Sequence, residues 1–158
     1  MPRTRTFRTF RAISRAATLS TSLTLAACHG GGDERWGAPG NRADTQPFAD
    51  IGPGETIHVV GTEPFWSGDI AGGAILYKTP GSPDGETIAV SRFAGRGGVS
   101  FSGEHDGRTF TLAVTPGECS DGMSDRAYPF VATLLIAEES RTGCAWSDKH
   151  PFTGPTAP

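Results

Sequence analysis

No run of about twenty apolar residues occurs in the chain, so a membrane-spanning helix is not expected. Leu, Ile, Val and Phe together number 29 of 158 residues, which leaves material for one modest core. Basic residues are scarce after position 15. From there on, nine Lys or Arg stand against seventeen Asp or Glu, a net charge of −8. That excludes a nucleic-acid binder working by general phosphate attraction, and a basic clamp on anionic lipid. Enzyme signatures are missing too. There is no nucleophile elbow, no His-Glu-x-x-His, no Cys-x-x-Cys and no Ser-x-x-Lys. Neither a cofactor nor a metal is expected. What the chain has in abundance is glycine, 22 residues, and proline, 12, so turns should be many and helices short.

The first 27 residues read as an address. Arg3, Arg5, Arg8, Arg11 and Arg15 give a basic start without an acid, and Ala16 to Ala27 is uncharged. A basic start, a short apolar stretch and small residues before a cut site describe a secretory signal. An ordinary cleaved signal beside a chance cysteine is one alternative. An Arg-rich mitochondrial presequence is another, but it would not explain the small residues before Cys28. Leu25-Ala26-Ala27-Cys28 resembles the bacterial lipobox. The resemblance implies lipidation of Cys28 and stable attachment to a membrane, because more than one acyl chain is carried. His29 in place of an Asp implies the outer membrane, facing the periplasm.

Residues 28–56 read as a flexible tether. Gly30-Gly31-Gly32, Pro39-Gly40 and Pro53-Gly54 lie among charges, with Trp36 and Phe48 as its large aromatics. Such a coil spans on the order of 30 Å. Residues 153–158 read as a disordered tail. Between them lies one domain, residues 57–152, with 21 Leu, Ile, Val or Phe.

In this domain the apolar period is two. Val99 and Phe101 alternate with serines, and Phe110, Leu112 and Val114 with Thr109, Thr111 and Ala113. Tyr128, Phe130, Ala132, Leu134 and Ile136 make one face of a further run. Alternation marks half-buried strands. Eight are expected, near 57–61, 65–70, 74–78, 87–93, 98–103, 108–114, 128–136 and 141–146. Short connections favour antiparallel neighbours, and closure removes exposed edges. The expected fold is all-β, a small antiparallel barrel with one short helical turn. A two-sheet sandwich is the runner-up.

Cys119 and Cys144 are the cysteines left after Cys28. In an exported chain an even remainder reads as a disulfide; free thiols are the alternative. The segment after Cys119 is polar and too long for a tight turn, and Asp121 could cap a single helical turn before Pro129. Glu104-His105-Asp106 would suit a metal or acid–base site by composition, but with Gly107 it reads better as a hairpin turn. Gly95-Arg96-Gly97-Gly98 reads as a bulge or corner rather than a phosphate loop, since no Lys-Ser/Thr follows. Glu63-Pro64-Phe65-Trp66 could be a recognition edge, or could place an aromatic in the barrel end.

Gly61-Thr62-Glu63-Pro64-Phe65-Trp66, then Cys119-Ser120-Asp121-Gly122-Met123-Ser124 with Tyr128-Pro129, then Gly143-Cys144, resembles a family of small, uncharacterised bacterial envelope lipoproteins. The likeness covers residues 57–146 and implies an exported β domain. A more distant architectural likeness is to META domains and to membrane-bound inhibitors of C-type lysozyme. On this reading the chain is a non-enzymatic envelope lipoprotein that presents a braced loop for protein recognition or inhibition. The candidate binding residues are Ser120, Asp121, Met123, Ser124, Asp125 and Arg126, with Glu63 and Trp66. The expected partner is an envelope protein or a basic hydrolase, steered by the acidic domain. A ligand carrier with a hollow barrel, and a structural envelope component, are the alternatives.

Overall fold

Residues 45–156 of the computed structural model are described; the expected signal segment, Cys28, Trp36 and most of the expected tether lie outside them. Eight strands follow one another: β1 (Ile57–Thr62), β2 (Phe65–Ala71), β3 (Ala74–Thr79), β4 (Ser82–Ala94), β5 (Val99–His105), β6 (Arg108–Cys119), β7 (Tyr128–Ile136) and β8 (Glu139–Ser147). Each pairs antiparallel with the next, and β8 closes on β1 from Ile57↔Ser147 to Val60↔Cys144. The sandwich alternative is thereby excluded.

Alternation in the sequence becomes inside and outside in the barrel. Ile57 and Val59, Trp66 and Ile70, Ile75 and Tyr77, and Ile88 and Val90 face inward from β1 to β4. Val99 and Phe101, Phe110, Leu112 and Val114, and Phe130, Ala132 and Leu134 continue the interior through β5, β6 and β7. Burying a large apolar side chain of this kind contributes about 1.5–3 kcal/mol. The interior is filled to contact. A Cβ at Gly68 would come within 2.8 Å of Ile75 Cδ1.

Turn chemistry sets the register. Gly72-Gly73 and Asp106-Gly107 join their strands with both central residues at positive φ, as the right-handed twist of a hairpin requires. The β7–β8 turn is Ala137-Glu138, with Ala137 at φ 55°. Gly95 to Gly98 forms the bend that connects β4 to β5, closed by Gly95 N–H donating to the Gly98 carbonyl at 3.0 Å. The bulges occur between Tyr77 and Thr79 and between Pro116 and Cys119.

Both expected domain boundaries move outward. Ile51, assigned above to the tether, is fully buried in the core, and Phe48 packs against it. Phe48 N–H donates to the Gly95 carbonyl at 2.7 Å, and Arg92 Nη2 to the Ile51 carbonyl at 2.6 Å. These contacts close one barrel end with residues 48–55. The expected tail also joins the domain. Thr153 exchanges two backbone hydrogen bonds with Ala127, at 2.9 and 3.0 Å.

Candidate functional site

Cys119 ends β6 and Cys144 lies within β8, and the two form a disulfide with Cα atoms 5.5 Å apart. The segment from Ser120 to Ala127 is therefore pinned at its start. It contains no helical turn, contrary to expectation. Asp121 Oδ1 does accept from the backbone of Met123 at 2.9 Å and of Ser124 at 2.8 Å, as an N-cap would. However, Gly122 takes φ 71° and the backbone leaves the helical region at once. The product is a turn closed by a side chain.

Asp121 is the hub of this turn. Its Oδ2 accepts from Ser124 Oγ at 2.8 Å and Tyr128 Oη at 2.9 Å. Burial alone would push its carboxyl up, but those four donors outweigh it and hold the group well below the ordinary range. Tyr128 is buried against Trp146 and Phe152, with ring centroids 5.4 and 5.7 Å away. Asp121 and Ser124, expected as contact residues, are thus struts. Arg126 is also engaged: Nε and Nη2 donate to the carbonyls of Pro155 and Thr156 at 2.8 and 2.6 Å, and its guanidinium lies 4.6 Å over Phe152. Ser120 and Asp125 are exposed, and Met123 is 68% exposed.

The loop overhangs a groove of about 420 Å³. One wall is the outward row Val60, Ser67 and Lys78, which pair across β1, β2 and β3. Phe65, Pro80 and Pro83 add apolar surface, and Asp121, Met123, Arg126 and Tyr128 form the loop side. Trp66 does not project for recognition. It is 3% exposed and its indole lies against Gly61 and Gly143 inside the barrel, leaving Nε1 buried without a hydrogen-bond partner. Its neighbour Phe65 is the exposed aromatic, at 52%. Glu63 sits in the β1–β2 turn and, with Ser120, borders a second recess of about 360 Å³ beside the disulfide. Lys78, Pro80 and Pro83 carry no motif; only strand pairing brings them here.

At the opposite end from Ile51, Arg141 donates to both Glu139 oxygens at 2.9 and 3.0 Å and to Tyr77 Oη at 2.7 Å. Burial raises the Tyr77 phenol. A cavity of about 400 Å³ opens there, bordered by His105 and Asp106. Glu86, His105 and Asp106 have donor atoms within 4.8 Å of one another, a set that could hold a divalent cation. Their present arrangement is an ion-pair cluster, with His105 Nε2 2.9 Å from Glu86. Glu104, their neighbour in sequence, lies on the other face of β5, in the pair with Thr109.

A serine with a nearby base does exist: Ser147 and His150 are three residues apart, a spacing that matches no motif, and Glu55 joins them only through the fold. Ser147 Oγ lies 3.5 Å from His150 Nδ1. Yet Ser147 is fully buried and its hydroxyl donates to Glu55, so it is not presented as a nucleophile. Burial raises the Glu55 carboxyl, but Ser147, the Gly52 N–H, Lys149 and His150 together bring it below the ordinary value. This network fastens the barrel end.

No protein-family model, no curated protein and no solved structure matches the chain.

Proposed function

We propose that this protein is a non-enzymatic lipoprotein of the outer membrane, held through Cys28 and facing the periplasm, whose β6–β7 loop recognises another envelope protein. Leu25-Ala26-Ala27-Cys28 after a basic start supports the anchor. One observation carries the recognition reading. The loop is braced by a disulfide and by the Asp121 hub, and it holds Met123 out to solvent beside the exposed Phe65. Large apolar side chains left in water on a rigid frame favour binding, since their ordering cost is already met.

A ligand carried inside the barrel is a weaker reading, because Trp66, Phe110, Leu112 and Leu134 fill the interior. Inhibition of a lysozyme-like hydrolase is the first activity to assay. The purified protein and its Met123→Glu variant are compared in lysozyme inhibition and in pull-down from envelope extracts. The reading predicts inhibition or a discrete partner that Met123→Glu abolishes. No inhibition, together with no partner sensitive to Met123, would contradict it.

A further inference from the structure

The described residues carry seven bases against fourteen acids, a net charge of −7. The groove under the loop departs from that balance. Two of the seven bases, Lys78 and Arg126, line it, with Asp121 as its one acid. Both Asp121 oxygens already accept two hydrogen bonds each from the loop. Arg126 donates to neutral carbonyls, which leave its charge uncompensated.

Lys78 is held in place from below. Gly85, at φ 83°, makes room for its stem: a Cβ at 85 would come within 2.8 Å of Lys78 Cγ. Among the described residues its ammonium has no hydrogen-bond or ion-pair partner. The surrounding surface is apolar, from Phe65 and Met123 on the rims to Pro80 and Pro83. A space of about 420 Å³ suits one or two side chains.

We infer that this groove binds an acidic, apolar segment of the partner protein, an aromatic or aliphatic side chain seated between Phe65 and Met123 with a neighbouring carboxylate on Lys78. The inference rests on the recognition reading above and gives the partner's contact chemistry. It reverses, at the contact itself, the sign expected from net charge. The two views are compatible because exposed charges more than about 8 Å away are largely screened at physiological salt. A partner can therefore be basic overall and acidic where it docks. A segment fits better than a lipid surface because the site is a recess between loop and sheet.

The test uses three probes and isothermal titration at physiological salt: acetyl-Glu-Phe-Leu-Glu-amide, acetyl-Lys-Phe-Leu-Lys-amide and acetyl-Glu-Gly-Gly-Glu-amide. The first should bind at least tenfold more tightly than either other, and Lys78→Glu should remove that preference while the far-ultraviolet circular dichroism stays unchanged. Amide shifts on binding should map to residues 65, 78 and 123. Equal binding of the probes, binding of none, or shifts elsewhere would overturn the inference. So would Lys78-dependent binding to phosphatidylglycerol vesicles without binding of the first peptide. A partner lost on Met123→Glu but retained on Lys78→Glu would overturn the inference alone and leave the recognition reading standing.

Discussion

Trp66 lies so close over Gly61 that no other residue at 61 leaves the indole where it is. The two are cross-strand partners in β1 and β2, and a Cβ on Gly61 would overlap the ring at Nε1, Cε2 and Cδ1. Gly143 accommodates the far edge of the same ring, with Trp66 Cζ2 3.0 Å from where its Cβ would stand. Two bare backbones thus form the bed of one large side chain. Gly61→Ala should destabilise the fold by about 1–3 kcal/mol, as overpacking does. A guanidinium titration checks this. An unchanged midpoint would mean that the indole sits elsewhere.

Ile51 belongs to the barrel although it precedes the first strand. It is fully buried, and Arg92 grips its carbonyl. Ile51→Ala should cost about 2–5 kcal/mol. The same titration decides. A cost below about 0.5 kcal/mol, the range of surface substitutions, would place residue 51 in the tether.

The Asp121 hub should show itself in the pH dependence of stability. Its folded carboxyl titrates below the unfolded value of about 3.9. The stability it contributes is therefore complete above that pH and is lost as the pH falls towards the folded value. Asp121→Ala should cost about 1.5–3 kcal/mol near pH 7, the range for hydrogen bonds to a charged group. The gap between wild type and variant should narrow between pH 4 and pH 2. Thermal melts across that interval test it; a gap independent of pH would deny the carboxylate its role.

The disulfide spans 25 residues of sequence. Replacing both Cys119 and Cys144 by Ala should cost roughly 3 kcal/mol by loop-closure entropy. Thiol labelling of the denatured, unreduced wild type should find neither cysteine. Labelling of both would restore the free-thiol alternative.

Much of the architecture was legible in the residues. Alternation in Phe110, Leu112 and Val114 and in Phe130, Ala132 and Leu134 marks the strands directly, because period two has one structural meaning. Asp106-Gly107 marks its hairpin for a similar local reason. Residues 48–55 read as tether in the sequence because their composition is that of a coil. Only the open barrel end, with Arg92 facing it, gives Ile51 a place to go. The candidate site was half legible. Cys119, Cys144 and Met123 stand out by type and position, whereas Lys78 enters through register alone. Trp66 and Phe65 exchange roles on a matter of parity: Trp66 pairs with the inward Gly61, and its neighbour must then face out.

The most direct test of protein recognition is photo-crosslinking in intact cells from position 123, with position 93 as control. Phe93 is as exposed as Met123, at 68%, but does not line the groove. A photoreactive residue at 123 should give one discrete protein adduct, lost when Cys119 and Cys144 are both Ala, and none should form from 93. No adduct from 123, or the same adducts from both positions, would contradict the account.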